Sequence, residues 1–291
     1  VGLCFLGERA RSMSPVMEGR NVTEVAIGVA GVSGRMGRML VREICTTSGV
    51  RLAAASEAPE HDCIGGDTGE IVGLDPLGIT VSEDVTCLFG SSQAVIDFTT
   101  PEATLAHAAV AAETGTVHVI GTTGFSAKDE AVLTRAAEKT PIVKAPNMSL
   151  GINLLFALTQ RVAGILGDDF DVEILEFHHR DKADAPSGTA LELGRAAAAG
   201  RGVDLDTVSV ISRDGQTGAR HDGDIGFAVL RGGDVVGDHS VIFADEGERV
   251  ELTHRAGDRR IYARGALSAA LWALGRDPGL YGMKDVLGLG D

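Results

Sequence analysis

Val25-Ala-Ile-Gly28-Val-Ala-Gly31-Val-Ser-Gly34-Arg-Met-Gly37 decides the fold. Val25 to Ala30 is a short apolar run of the kind that forms a buried strand, and Met36 to Thr47 has helical spacing. Between them lies a turn in which glycine recurs every third residue. A strand, a glycine-rich turn and a helix in direct succession form the context of a dinucleotide fingerprint. The glycines permit the tight turn and let backbone amides approach a pyrophosphate. The spacing G-x-x-G-x-x-G departs from G-x-G-x-x-G, and such turns also occur without a ligand. The second strand, Val50–Ser56, adds a further mark because it ends at Glu57, about 20 residues after the glycines, where an acid binds the adenine-ribose hydroxyls. The plain alternative is a solvated acid at a strand end, and the context favours the ribose.

Outward from this turn, strands and helices alternate. Ala94–Phe98, a helix over 102–114, Val117–Ile120, a helix over 127–139 and Ile142–Lys144 predict a Rossmann-like, doubly wound parallel sheet. Gly121-Thr-Thr-Gly124 and Ala145-Pro-Asn-Met148 follow strands of that sheet, at the ends where ligands of open α/β sheets bind, although Gly124 and Pro146 are also ordinary turn residues. After Ser149 the rhythm changes. A long helix over 152–166 leads to a strand over 172–177, a helix over 189–199, and then strands at 208–212, 225–231, 235–244 and 249–254. Gly232-Gly233 reads as a hairpin turn, so the second region is expected to be an α+β domain on an antiparallel sheet. The expected division is a flexible extension at 1–24, a dinucleotide-binding domain at 25–149 completed by a returning segment at about 259–291, and a substrate-binding and oligomerisation domain at 150–258.

Glu176-Phe-His-His-Arg-Asp-Lys-Ala-Asp-Ala-Pro-Ser-Gly-Thr-Ala190 concentrates the chemistry. His178 and His179 leave the end of a strand and Lys182 lies in the loop beyond. The amides of Ser187, Gly188 and Thr189 open a helix, where the first N–H groups have no intrahelical partner and favour a carboxylate or phosphate. A single histidine at a strand end is usually structural. Two histidines, a lysine and a helix N-terminus in one stretch exceed what folding requires. Asp181 and Asp184 pair with Arg180 or Lys182, or cap the helix. His221, His239 and His254 are isolated and read as structural.

The chain has 291 residues, 44% hydrophobic and 23% charged, the composition of a soluble globular protein. Its formal net charge of -15 argues against nucleic acid or an anionic membrane surface as partner. Cys4, Cys45, Cys63 and Cys87 form no C-x-x-C pair and no Cys/His cluster at metal-ligand spacing, which fits a reducing compartment and no structural zinc. The apolar start, Val1 to Gly7, is too short for a signal peptide, and no later stretch has the length of a membrane span.

The run His178-His-Arg-Asp-Lys182-Ala-Asp-Ala-Pro-Ser-Gly-Thr-Ala190, with Gly34-Arg-Met-Gly37, Asp97-Phe-Thr99 and Gly121-Thr-Thr-Gly-Phe125, resembles the 4-hydroxy-tetrahydrodipicolinate reductase (dihydrodipicolinate reductase) family. The likeness extends from Val25 nearly to the end. It implies reduction, by NADH and/or NADPH and without a metal, of (2S,4S)-4-hydroxy-2,3,4,5-tetrahydrodipicolinate to (S)-2,3,4,5-tetrahydrodipicolinate in lysine biosynthesis through diaminopimelate. It further implies a cytoplasmic homotetramer joined through the second domain. By the same resemblance His178 is a proton donor or acceptor and Lys182 the proton donor, while His179, Gly188 and Thr189 bind the substrate's carboxylates. Gly31, Val32, Ser33, Gly34, Arg35, Met36, Glu57, Gly121, Thr122, Thr123, Ala145, Pro146, Asn147 and Met148 line the cofactor. The chain carries Ala58 where some relatives have an arginine that meets the 2′-phosphate of NADP, which leaves cofactor preference open. Two other readings are a non-catalytic NAD(H)-binding sensor, which has no use for His178 and Lys182 beside an anion site, and a dehydrogenase of another amino-acid intermediate, for which a different second domain is expected.

Overall fold

A computed structural model describes residues 24–289; apart from Glu24, the extension expected at 1–24 lies outside the described residues. The chain opens as β1 (Val25–Ala30), α1 (Arg35–Thr46), β2 (Val50–Ser56), α2 (Thr68–Val72), β3 (Val81–Ser82), α3 (Val85–Gly90), β4 (Ala94–Asp97), α4 (Pro101–Thr114), β5 (Val117–Ile120), α5 (Ala127–Ala137) and β6 (Pro141–Lys144). It continues as α6 (Leu150–Leu166), β7 (Asp171–His178), α7 (Gly188–Arg201), α8 (Leu205–Val208), β8 (Ser209–Val210), β9 (Ile225–Arg231), β10 (Gly237–Asp245), β11 (Glu248–Ala256), α9 (Arg260–Ala273), β12 (Gly279–Tyr281) and α10 (Met283–Val286).

The first sheet has seven strands in the order β12-β6-β5-β4-β1-β2-β3, every pair parallel. Both faces are covered, so its strands are mostly apolar, and Ile27, Val29, Ile96 and Val119 are fully buried. Helix starts follow local chemistry. Thr100 caps α4 with Pro101 in its first turn, and Ser126 and Asp129 form a capping box on α5. Helix α1 differs, because Gly34 at its N-cap offers no side-chain acceptor and the first amides stay open. The strand order reverses between β1 and β4, and the crevice outside their carboxyl ends is the ligand position of such sheets. α9 packs its small face, including Ala263, Ala266 and Ala270, into the core of this sheet, and β12 extends its edge beside β6. The stretch 57–93, which has no clear period in the sequence, supplies α2, β3 and α3.

The second sheet corrects two expectations. Its order is β11-β10-β7-β9-β8, and it is mixed rather than antiparallel: β10 is antiparallel to β7 and β11, whereas β9 is parallel to β7 and to β8. Gly232-Gly233 therefore does not close a hairpin, because β9 and β10 flank β7 on opposite sides. The connecting segment crosses the end of β7, with Gly232 N donating to His178 O at 3.0 Å and His179 N to Val235 O at 2.8 Å. The expected strand at 208–212 shrinks to Ser209–Val210 after a short helix. Helices α6 and α7 bury Ile152, Leu155, Leu193 and Ala197 against Val172, Ile174, Phe227 and Phe243 on one face of the sheet. The residues between them in β7 and its neighbours, including Leu175, Phe177 and Leu230, point the other way and are half-buried or exposed.

Candidate active site

Strand alternation sets the chemistry of β7. Val172, Ile174, Glu176 and His178 share the buried face, so a carboxylate and an imidazole two residues apart stand side by side. His178 Nδ1 is hydrogen-bonded to Glu176 Oε2. Arg231 of β9 grips the same carboxylate through Nη1 at 2.8 Å and Nη2 at 2.9 Å, and the Ser187 amide donates to Oε1 at 3.0 Å. Burial pushes the Glu176 carboxyl up, and these donors outweigh it and hold the group below its usual range. For His178, burial pushes the imidazole down; the Glu176 charge opposes this, and Lys182 and Arg231 add to it, so the ring is neutral at pH 7. His239 of β10 lies edge-on to His178 with ring centroids 5.0 Å apart and meets Ser187 Oγ at 3.2 Å. Burial and the neighbouring His178 take its value down to about 3.

Ser187 caps α7, its Oγ accepting from Ala190 N at 3.1 Å. With the Ser187 amide committed to Glu176, the open donors are those of Gly188 and Thr189, one fewer than the sequence suggests. Lys182 Nζ rests on Asp184 at 2.7 and 2.9 Å, which resolves the open reading of that acid. Asn147 Nδ2 donates to Thr189 Oγ1 at 3.3 Å and so ties the loop after β6 to the start of α7. These groups surround a cleft of about 450 Å³ that Thr123, Pro146, Asn147, His178, His179, Lys182, Gly188 and Thr189 all line. A contiguous opening brings Arg35 of the β1–α1 turn, His179 and Arg259 together.

The glycine turn is as tight as the sequence requires. Gly31 has φ +71°, and a Cβ on Gly37 would lie 2.1 Å from the Gly31 carbonyl oxygen, so no side chain fits where α1 meets the turn. Glu57 Oε2 accepts from Ser33 N at 2.8 Å and Oε1 from Ala58 N at 2.9 Å. Burial pushes its carboxyl up, and the amides of Ala58 and Ser33 more than offset this, leaving it ionised beside the turn. Ser33, Arg35 and Glu57 are accessible there. Val32, Ala145 and Met148 are not, being core residues at most 2% exposed, and the Val32 amide is held by Ser56 O, so the neighbours of these three rather than the residues themselves face the surface. Met36 packs partly against the core. A Cβ on Gly121 would strike the Phe98 ring at 2.1 Å, and Thr122 is buried while Thr123 reaches the cleft.

Under these loops lies a group the sequence did not suggest. Asp97 Oδ2 contacts His107 Nδ1 at 2.8 Å and His118 Nε2 at 3.1 Å, and Oδ1 accepts from Thr99 N and Oγ1 at 3.0 and 2.6 Å. The three side chains lie as close as ligands of a small cation, and hydrogen bonds account for the grouping without one. Burial alone would raise the Asp97 carboxyl; bonds from both histidines hold it far below the usual range. Sequence reading also missed Glu176, Arg231, His239 and Arg259 as site groups. The parity of Glu176 and His178 in one strand was a usable signal; Arg231, 55 residues from Glu176, gives none.

Residues 25–148 match the family "Dihydrodipicolinate reductase, N-terminus" and residues 151–287 match "Dihydrodipicolinate reductase, C-terminus". The chain is 57% identical over 270 residues to a 4-hydroxy-tetrahydrodipicolinate reductase of Rhodopseudomonas palustris (strain HaA2), covering 93% of this chain and 100% of that protein. It is 58% identical to one of Afipia carboxidovorans, covering 92% of this chain and 99% of the relative. Among solved structures, the dipicolinate-bound dihydrodipicolinate reductase from Paenisporosarcina sp. TG-14 aligns with TM-score 0.71 at 25% identity, over 90% of this chain and 99% of the other. An amine dehydrogenase from Mycobacterium smegmatis aligns with TM-score 0.57 at 14% identity, over 89% and 94%, and shares the fold alone. A glycine-rich turn between β1 and α1 and a cleft lined by a histidine, lysine and helix-terminus motif, in a chain matched by both halves of one family, lead to one conclusion: the chain belongs to the dihydrodipicolinate reductase family of nicotinamide-dependent oxidoreductases.

Proposed function

We propose that the chain reduces 4-hydroxy-tetrahydrodipicolinate to tetrahydrodipicolinate with NADH or NADPH, in the diaminopimelate route to lysine. The observation that carries this reading is the single cleft into which the loops after β5 and β6 and the motif at 178–189 all project. The 4-hydroxyl leaves as water, with a proton from the neighbouring carbon, and the resulting cyclic dicarboxylate, whose imine is conjugated to a C=C bond, takes a hydride at one carbon and a proton at its neighbour. When bound, the nicotinamide supplies the hydride, and the residues of this chain do the rest. Gly31 to Met36 and Glu57 hold the adenosine and pyrophosphate end, using the uncapped start of α1. Gly121 to Thr123 and Ala145 to Met148 flank the nicotinamide end. The Gly188 and Thr189 amides and His179 hold carboxylates, which an acidic protein needs a helix N-terminus to do. Lys182 is the proton donor and exchanges its Asp184 partner for the substrate, while His178 Nε2 gives or takes a proton.

The functional division follows the same reading: a dinucleotide-binding domain at 25–149 completed by the segment from 259, and a substrate domain at 150–258. The sheet face of the second domain that α6 and α7 leave uncovered, with Leu175, Phe177 and Leu230, supports assembly into a homotetramer. Among the described residues no helix is long and apolar enough to cross a membrane. The proposed biosynthetic role is what supports a cytoplasmic location. A coupled assay with freshly generated substrate tests the activity. NADH or NADPH is expected to be oxidised only when substrate is present, undiminished by a chelator. Folded protein that turns over neither cofactor refutes the assignment.

A further inference from the structure

Glu176 is an ionised carboxylate on the buried face of β7, 1% exposed, and does not itself line the cleft. Its partners explain its position. One oxygen meets His178 Nδ1 and Arg231 Nη1; the other meets Arg231 Nη2 and the amide of Ser187. Arg231 in turn donates to the carbonyl oxygens of Asp184 at 2.6 Å and Lys182 at 3.4 Å. One buried carboxylate thus connects the imidazole, the loop that carries the ammonium, and the N-cap residue of α7.

We propose that Glu176, clamped by Arg231, is the positioning residue that holds His178 with Nδ1 protonated and Nε2 free to exchange a proton in the cleft. The inference rests on the proposed reductase reading and adds to it. A carboxylate accepts hydrogen bonds only, so Nδ1 must carry the proton in the neutral ring, and Nε2 must be the basic nitrogen. Nε2 has no hydrogen-bond partner among the described residues. Gly237 of β10 leaves it room, because a Cβ there would stand 2.9 Å away. The bidentate grip of Arg231 prevents the carboxylate from following a rotating ring. The charged and titratable groups facing His178 are Glu176 on its own strand, Arg231 on β9, His239 on β10, and Lys182 with its partner Asp184 in the following loop. Geometry of this kind fixes both tautomer and orientation, as an acid behind a catalytic histidine does.

The test begins on the unmodified full chain. Long-range ¹H–¹⁵N spectra of ¹⁵N-histidine protein at neutral pH, with His178 assigned by difference from His178→Gln, are expected to show Nδ1 protonated and Nε2 bare. Glu176→Gln is then expected to lower kcat by roughly tenfold or more. KM for substrate should change by less than about threefold, with cofactor affinity unaltered. The acid limb of its kcat profile should move to lower pH, since the charge that favours imidazolium is gone; a merely structural role would move none of these. Arg231→Lys keeps a charge without the fork and is expected to lower kcat at unchanged cofactor affinity. An Nε2–H tautomer in the unmodified enzyme overturns the proposal, as does a Glu176→Gln enzyme with unaltered kcat and pH profile. Should Glu176→Gln fail to fold, the wild-type tautomer and Arg231→Lys decide. A protein with the expected tautomer but no turnover refutes the substrate and leaves the positioning intact.

Discussion

Ala58→Arg isolates the electrostatics of cofactor choice. Ala58 is exposed, and its amide is bonded to Glu57 Oε1 at 2.9 Å, so position 58 stays beside the acid whatever side chain it carries. NADPH would bring a 2′-phosphate of roughly −1.5 to −2 charges against the ionised Glu57. At a separation of about 5 Å in water each unit pair is worth about 0.8 kcal/mol, hence roughly 1.5 kcal/mol against NADPH. A Debye length of about 8 Å at 0.15 M cuts this to just under about 1 kcal/mol, and the exposed Arg35 in the turn offsets part of the remainder. The wild-type enzyme should therefore use both cofactors, with NADH at least as good as NADPH. An arginine at 58 contributes a similar term of opposite sign. kcat/KM for NADPH should rise about 4- to 5-fold at 0.15 M salt while that for NADH stays within about twofold. Initial rates with both cofactors at low and moderate salt measure the effect, and the gain should shrink as salt rises. A wild-type preference for NADPH of about tenfold or more, or a variant with an unchanged cofactor ratio, refutes the reasoning about Glu57.

His178→Ala and Lys182→Ala should each lower kcat by about 10²-fold or more at unchanged cofactor affinity, read by steady-state kinetics and cofactor titration. Thr189→Val should instead raise KM for substrate, since the hydroxyl that meets Asn147 and faces the cleft is lost while the proton-exchanging groups remain. Gly37→Ala places a Cβ 2.1 Å from the Gly31 carbonyl oxygen, so α1 must back away from the turn, and the cofactor Kd should rise by about tenfold or more in calorimetry. His239 is buried neutral, with its value pushed down to about 3, while the unfolded chain takes up the proton near pH 6.5. Its contribution is fully present above about pH 6.5 and is lost toward pH 3 at up to roughly 1.4 kcal/mol per unit. Denaturant unfolding from pH 7 to 4 should show a shallower decline in His239→Gln; an identical slope would mean that another group carries the acid sensitivity.

The alternation of apolar runs and glycine turns from Val25 to Lys144 determined five strands of the parallel sheet, because a strand buried on both faces and its crossover helix each leave a local period; the short β3 and the edge strand β12 left none. The glycine turn, Glu57 and the 176–190 motif were legible for the same reason: their partners lie within a few residues or follow a fixed crossover. Pairing in the second sheet was not legible. β9 and β10 are adjacent in the chain with glycines between them, yet β7 lies between them in space, bonded to β9 in parallel and to β10 antiparallel. His178 and Lys182 could be named as candidates from the chain alone, but not what holds them. Arg231 and His239 arrive from strands 55 and 63 residues beyond Glu176, and Asp97 gathers His107 and His118 from a helix and a neighbouring strand. Contacts made across a sheet have no period along the chain, so only the folded structure shows which polar groups share one carboxylate.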